Sequence, residues 1–195
     1  YGATKLCSDK LFVTENNIKG DKKIKFSVVW YGIVLGSRGS VLPLFMKQSK
    51  KNLFTITDTE MTRFNITLRE GVEFVDWGMR NNFGGEIFVP KISSFKVTDL
   101  AKAIKPNAKI KIIGIRQGEK IHEEMVSESE SLNTIETKKS YIILNNVNSK
   151  ELTKIKKFHK AKKVEKAFRY TSDLSKNLIN VGAIKNILNR HFKEI

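Results

Sequence analysis

The chain has 195 residues, of which 40% are hydrophobic and 29% are charged, a composition typical of a globular protein with a real core. Its apolar runs are all shorter than the ~20 residues that a membrane-spanning helix needs, so we expect no membrane partner. The single cysteine excludes an internal disulfide and a cysteine-based zinc site, and it favours a cytoplasmic location.

The formal net charge is +16, from 36 basic and 20 acidic residues. Such an excess of positive charge could attract a nucleic acid or an anionic small substrate such as a nucleotide diphosphate. It could also reflect only lysines spread over solvated faces. The lysines are scattered except within residues 154–166, and no basic segment is interleaved with aromatic residues that could stack on bases. We therefore expect no nucleic-acid partner.

The first predicted element is a helix over residues 1–18. An apolar run over residues 26–31 then predicts a buried parallel strand. Three glycines follow this strand, at Gly32, Gly36 and Gly39. Because ligands bind near loops that leave the carboxyl ends of parallel strands, this glycine loop is a candidate wall of a substrate site.

The rest of the chain alternates between predicted helices and short strands, which favours an α/β fold. The predicted helices cover 41–46, capped by Ser40, then 67–80, 97–104 and 181–192. The predicted strands cover 54–57, 86–89, 110–115 and 141–144. The spacing also predicts that a short helix begins within 122–125, that 127–139 is a surface loop, and that 150–166 carries no motif.

Tyr1 and Lys5 are four residues apart, so on a helix their side chains lie on one face, one turn apart. The ammonium group of Lys5 would favour the phenolate of Tyr1 and lower its pKa from about 10. A phenol tuned in this way can exchange a proton with a substrate hydroxyl. The same spacing is also typical of an ordinary amphipathic helix, so the pattern alone leaves both interpretations open.

Seven blocks of the sequence resemble, in the same order, those of extended short-chain dehydrogenases/reductases. More narrowly, they are similar to the inverting UDP-N-acetylglucosamine 4,6-dehydratases, which open the route to pseudaminic acid and related surface sugars. The blocks are 1–12, 26–29, 36–41, 61–64, 84–91, 98–101 and 114–116. The resemblance implies the carboxy-terminal part of a longer protein, because the family's glycine-rich dinucleotide loop precedes the Tyr-Lys helix.

The fold implied by the resemblance is the carboxy-terminal part of a Rossmann-like doubly wound parallel sheet plus a smaller α/β substrate-binding domain. Residues 1–36 would supply the catalytic helix and the following strand, and 37–65 the substrate-binding loop region. In residues 66–92 the chain would return to the Rossmann domain and add a helix and a strand to its sheet. Residues 93–195 would form the carboxy-terminal substrate-binding domain and tail.

The activity implied by the resemblance is NADP-dependent dehydration of UDP-N-acetylglucosamine to a UDP-4-keto-6-deoxy-hexosamine, with inversion at C5. In the family, the Tyr and Lys hold the nicotinamide ribose and promote oxidation of the sugar at C4. Tyr1 and Lys5 are therefore the catalytic and cofactor-binding candidates, and Val34 matches a backbone contact to the cofactor. The complete protein is expected to be a homo-oligomer. This chain alone is expected to be inactive, because the family's Asp-Lys elimination pair lies upstream of Tyr1.

The resemblance also implies the substrate contacts. Arg63 lies in the block that resembles the substrate-binding loop, and Arg116 and Glu119 lie in the loop that closes on the nucleotide. A guanidinium can grip diphosphate oxygens with two hydrogen bonds, and a carboxylate can accept hydrogen bonds from ribose hydroxyls. Arg38, in the glycine loop, is a further candidate. Where the family usually has a substrate-binding Asn, this chain has Ile33, which cannot make the amide's hydrogen bonds.

Two other functions stay open. One is a related nucleotide-sugar epimerase or reductase, which product stereochemistry at C5 would separate from a dehydratase. The other is a non-catalytic basic binding module, for which salt-dependent binding to DNA or RNA would be typical. The histidines at 122, 159 and 191 have no metal-ligand spacing, so no metal site is expected, and Cys7 is predicted to be a packed thiol.

Overall fold

The structure is a computed structural model that describes residues 2–107, 109–145 and 147–191. The chain divides into two compact units, each assembled from three separate stretches of sequence. Unit 1 consists of Tyr1–Trp30, Val72–Lys91 and Val126–Arg169. Unit 2 consists of Tyr31–Gly71, Ile92–Met125 and Tyr170–Ile195.

The described residues form seven helices and twelve strands. The helices are α1 (Gly2–Ile18), α2 (Val41–Ser49), α3 (Leu68–Asn81), α4 (Val97–Ile104), α5 (Glu128–Ser131), α6 (Ser149–His159) and α7 (Val181–His191). The strands are β1 (Val28–Val29), β2 (Ile33–Val34), β3 (Leu53–Ile56), β4 (Thr62–Ile66), β5 (Ile87–Pro90), β6 (Ser93–Lys96), β7 (Lys109–Ile112), β8 (Glu124–Val126), β9 (Thr134–Glu136), β10 (Ser140–Ile143), β11 (Lys162–Lys163) and β12 (Tyr170–Thr171). No helix within the described ranges is both long enough and apolar enough to cross a membrane.

Unit 1 is built on a five-stranded sheet with the order β1-β5-β10-β9-β11. Strands β1 and β5 are parallel, with Val28 opposite Ile87, and the other pairs are antiparallel. Strand β5 is buried along its whole length, as expected for an apolar run in the middle of a sheet. Gly78 of α3 lets the helix approach this sheet, since a Cβ there would lie 3.3 Å from the Phe88 side chain. The predicted α/β class with parallel strands is confirmed.

The core of unit 1 surrounds Phe88, which is fully buried. The ring of Trp77 meets the ring of Phe88 edge-on at 5.3 Å between centroids. His159, at the end of α6, packs among aromatic rings, with centroids 4.9 Å from Phe158 and 5.8 Å from Trp77. Its buried Nε2 atom makes no hydrogen bond with the described residues. Burial in these apolar surroundings lowers the pKa of His159.

The lowered pKa of His159 predicts a loss of stability at mildly acidic pH. Below a pH of about 6.5 the unfolded chain protonates this histidine before the folded chain does, so the free energy of unfolding falls as the pH falls. A His159→Phe variant should lose this part of the pH dependence while keeping the aromatic packing. Thermal unfolding midpoints of both proteins between pH 8 and pH 5 check this, and equal slopes would contradict it.

Unit 2 contains a three-stranded sheet, β2-β4-β6, and a two-stranded parallel sheet, β3-β7. Its core packs helices α2, α4 and α7 against these strands, with α4 in contact with α7. The fully buried rings of Phe45 and Phe54 meet edge-on at 5.2 Å between centroids. Leu100, Ile184 and Leu188 belong to the same buried cluster. Met61, which directly precedes β4, and Ile110 of β7 also pack in this cluster, so it supports the strands beside the site.

Several predicted elements are confirmed, including the helices at α3 and α4 and the strands at β3 and β5. The helix predicted to begin within 122–125 is wrong, because β8 begins at Glu124 and α5 begins only at Glu128. Residues 127–139 are not a simple loop, since α5 and β9 lie there. The packed thiol predicted at Cys7 is also wrong, because α1 leaves its side chain exposed.

Candidate functional site

The predicted site residues fall into two groups. Tyr1 lies outside the described residues, and Lys5 is exposed on α1 in unit 1. All the remaining candidates lie in unit 2. They are Ile33 and Val34 in β2, Arg38 in the loop that follows, Arg63 in β4, and Arg116 and Glu119 in the turn after β7.

Strand β2 is held against β4 at unusually close range. The two strands are parallel, with Ile33 opposite Asn65 and Val34 opposite Ile66. Gly32 makes this approach possible, because a Cβ at that position would lie 2.5 Å from the Cβ of Phe64. Ile33 and Val34 are both half-buried. The glycine loop that follows β2 leaves Arg38 exposed to solvent.

Arg63 is largely enclosed, with only 13% of its side chain exposed. Its Nη1 donates hydrogen bonds to the carbonyl oxygens of Thr62 (2.7 Å) and Ile121 (2.8 Å). Its Nη2 donates to the carbonyl oxygen of Lys120 (2.9 Å). The carboxylates of Glu119 and Glu123 lie 3.8 and 3.9 Å from the guanidinium. The chain itself therefore occupies most of the hydrogen-bonding capacity of Arg63.

Glu123 is a site residue that the sequence analysis missed. Its Oε2 accepts a hydrogen bond from the backbone N–H of Phe64 at 2.8 Å. Burial raises the pKa of Glu123, although the Phe64 N–H and the charge of Arg63 act in the opposite direction. Its carboxylate thus joins the segment after the turn to strand β4.

His122 belongs to a second polar group that the sequence analysis missed. The buried hydroxyl of Thr62 lies 2.6 Å from the Ser172 hydroxyl and 2.8 Å from Nδ1 of His122. Nε2 of His122 lies 4.0 Å from the Asp173 carboxylate. Burial alone would raise the pKa of Asp173, but local hydrogen bonds and the neighbouring His122 outweigh it and lower that pKa. The described residues contain no group of three His, Cys, Asp or Glu side chains arranged to hold a metal ion.

Arg116 and Glu119 form the two ends of a tight turn. The N–H of Glu119 donates to the carbonyl oxygen of Arg116 (3.0 Å), and Oε2 of Glu119 accepts from the N–H of Arg116 (3.3 Å). Gly118 has a φ of +79°, a left-handed conformation that favours glycine. Arg116 is exposed, and within the described part of the chain its guanidinium has no ion-pair partner. The turn therefore presents one uncommitted guanidinium, suited to binding an anion.

Residues 1–145 match the sequence profile of a family described as polysaccharide biosynthesis protein. The chain belongs to this polysaccharide biosynthesis protein family. The match extends over both units and includes every predicted site residue of the chain. The sequence blocks from which the resemblance was inferred therefore lie within a confirmed family match.

Individual proteins are similar to this chain over nearly its whole length. UDP-N-acetylglucosamine 4,6-dehydratase (inverting) of Campylobacter jejuni is 48% identical, over 97% of this chain and 58% of that protein. UDP-glucose 4-epimerase of Rickettsia bellii is 35% identical, over 96% of this chain and 56% of that protein. The X-ray structure of Pen from Bacillus thuringiensis matches with a TM-score of 0.81 and 33% identity, over 97% of this chain and 57% of that chain.

These matches confirm the resemblance to the inverting dehydratases and the Rossmann-like α/β fold class. The chain spans a little over half the length of the relatives that it matches. The roles of individual residues in this family member stay predictions, and the geometry of unit 2 shows which of their side chains already have partners among the described residues.

Proposed function

We propose that the protein to which this chain belongs dehydrates UDP-N-acetylglucosamine to a UDP-4-keto-6-deoxy-hexosamine, with inversion at C5. The observation that carries the proposal is the 48% and 50% identity to two inverting dehydratases of Campylobacter jejuni. The epimerase of Rickettsia bellii matches at 35%, so a UDP-sugar epimerase is the second candidate. Both candidates act on a sugar linked to the same nucleotide.

Unit 2 is proposed to hold the nucleotide. The guanidinium of Arg116 can donate two parallel hydrogen bonds to diphosphate oxygens, because it has no partner among the described residues. The carboxylate of Glu119 lies at the other end of the same turn and can accept hydrogen bonds from ribose hydroxyls. A net charge of +16 would further attract a dianionic ligand.

The cofactor is proposed to be NADP, since dehydratases of this kind imply a nicotinamide nucleotide. When bound, it supplies an acceptor for the hydride that leaves C4 of the sugar. Lys5 is proposed to bind the ribose of the cofactor, because an ammonium group donates hydrogen bonds to hydroxyl oxygens. Val34 would contribute its backbone, and Tyr1 would exchange the proton at the sugar hydroxyl. A cytoplasmic location and a homo-oligomeric state are proposed on the same resemblance.

Calorimetric titration of this chain with UDP-N-acetylglucosamine, UDP and uridine tests the nucleotide site. We expect saturable binding of the first two and much weaker binding of uridine, which lacks the diphosphate. Absence of UDP binding by a folded chain would overturn the placement of the nucleotide in unit 2. For the complete protein, incubation with NADP+ and UDP-N-acetylglucosamine should yield a 4-keto product; a C4 epimer that retains the 6-hydroxyl would indicate the epimerase instead.

A further inference from the structure

We infer that Arg63 and Thr62 are positioning residues, which hold the nucleotide-binding turn in place without touching the nucleotide. The inference rests on the proposed function, because it assigns a task to residues around the Arg116–Glu119 turn. It differs from the expectation drawn from the sequence, in which Arg63 itself contacts the substrate.

Three successive residues of β4 form hydrogen bonds with residues 120–123, the segment that follows the Arg116–Glu119 turn. The N–H of Thr62 donates to the carbonyl oxygen of Ile121 at 3.1 Å. The guanidinium of Arg63 donates to the carbonyl oxygens of Lys120 and Ile121. The N–H of Phe64 donates to the Glu123 carboxylate. Strand β4 thus clamps residues 120–123 through both backbone and side chains.

The hydroxyl of Thr62 adds side-chain contacts to the same segment. It lies within hydrogen-bond distance of both His122 and Ser172, and Thr62 and Ser172 are almost completely buried. The Ser172 hydroxyl also accepts a hydrogen bond from the N–H of Glu123 at 2.9 Å. A polar network whose central hydroxyls are buried and hydrogen-bonded in this way rigidifies the segment that it holds.

Energetics favour a positioning role for Arg63 over direct contact. To bind a diphosphate, its guanidinium would have to give up hydrogen bonds to backbone carbonyl oxygens, of which the bond to Ile121 is partly buried, at a cost that offsets the new bonds. The guanidinium of Arg116 has no such bonds to lose among the residues that the structure describes. A turn that is ordered before binding loses less conformational entropy when the ligand arrives, which raises affinity. Arg63 therefore acts on the nucleotide through the turn that carries Arg116.

A double-mutant cycle on UDP affinity separates the two roles. Arg63→Lys keeps the charge but loses the planar fork, and we expect it to weaken UDP binding about tenfold. In an Arg116→Ala background the same change should have a clearly smaller effect, about threefold or less, because only the proposed ribose contact of Glu119 is left for the turn to position. Effects that multiply in the double variant would overturn the inference, since they would indicate an independent contact by Arg63.

Hydrogen exchange without ligand supplies a readout that does not depend on UDP. Arg63→Lys should speed amide exchange across residues 116–123, whereas Arg116→Ala should leave it unchanged. Thr62→Val should also speed exchange in this segment and weaken UDP binding, and Thr62→Ser, which keeps the hydroxyl, should restore both. Unchanged exchange in Arg63→Lys and Thr62→Val would overturn the clamp. If the wild-type chain is folded and binds no UDP, the proposed nucleotide site fails, and the exchange data still decide whether the clamp exists.

Discussion

Replacing Arg116 with alanine is expected to weaken UDP binding to this chain by about 100-fold. The change removes two charge-assisted hydrogen bonds to the diphosphate, and a loss of ~3 kcal/mol corresponds to a factor of this size in the dissociation constant. The unfolding temperature should hardly change, because the Arg116 side chain is exposed and has no ion-pair partner within the described residues. Calorimetric titration and thermal unfolding of the same sample measure both quantities.

Arg190→Ala is the matched control for this variant. Arg190 lies in α7 of the same unit, its side chain is exposed, and its loss lowers the net charge by the same amount. Binding that weakens equally in both variants, and that recovers equally when salt is removed, would show a diffuse attraction of UDP to a basic surface. A specific contact instead predicts a large effect for Arg116→Ala and little effect for Arg190→Ala.

The helices and strands that were predicted correctly have clear hydrophobic patterns within their own sequences. Helix α4 buries Val97, Leu100 and Ala101 on one face, so its period is visible without any tertiary information. Strand β5 is a short apolar run closed by Pro90. The match of such segments to the family over residues 1–145 explains why the fold class could be inferred before any contact was known.

The errors have local physical causes. Ser127 and Glu130 form a capping box, in which the serine hydroxyl accepts from the Glu130 N–H and the glutamate accepts from the Ser127 N–H. Asn148 and Glu151 form a second one at the start of α6. Both are visible in the sequence as a capping residue followed three positions later by Glu. Recognising Ser127 and Glu130 as a capping box would have moved the predicted helix start from 122–125 to Glu128.

The positioning network could not have been found from spacing. Thr62 and Ser172 are 110 residues apart in sequence, and nothing in either neighbourhood marks them as partners. Arg63 poses a related difficulty, because a sequence shows that a guanidinium exists but not whether its donors are already used. The structure supplies that information, and it favours Arg116 over Arg63 as the proposed nucleotide contact. His122 and Glu123 follow the turn in sequence, and their pairing with β4 appears only in three dimensions.

Gly32→Ala is expected to produce the largest loss of stability among single small substitutions around the site. The new methyl group would meet Phe64 at 2.5 Å from its Cβ and 2.8 Å from its carbonyl oxygen, and backbone atoms cannot move aside cheaply. Strand β2 would have to separate from β4, breaking the bond from the Leu35 N–H to the Ile66 carbonyl oxygen. Overpacking of this kind costs ~3 kcal/mol. For a chain of this length, that lowers the unfolding temperature by about 6–12 °C.

Gly71→Ala separates this steric effect from the general consequences of replacing glycine. Gly71 lies inside α3, and a Cβ there would meet no atom within 4 Å. Alanine should therefore stabilise the helix by ~0.5–1 kcal/mol, raising the unfolding temperature slightly. Opposite signs for the two substitutions would show that the close approach of β2 to β4 sets the requirement at Gly32. If both substitutions changed the unfolding temperature in the same direction, this explanation of the glycine at position 32 would be contradicted. Because Ile33 and Val34 follow Gly32 directly, the same separation should also weaken binding of UDP-N-acetylglucosamine in Gly32→Ala, whereas Gly71→Ala should bind as the wild type does.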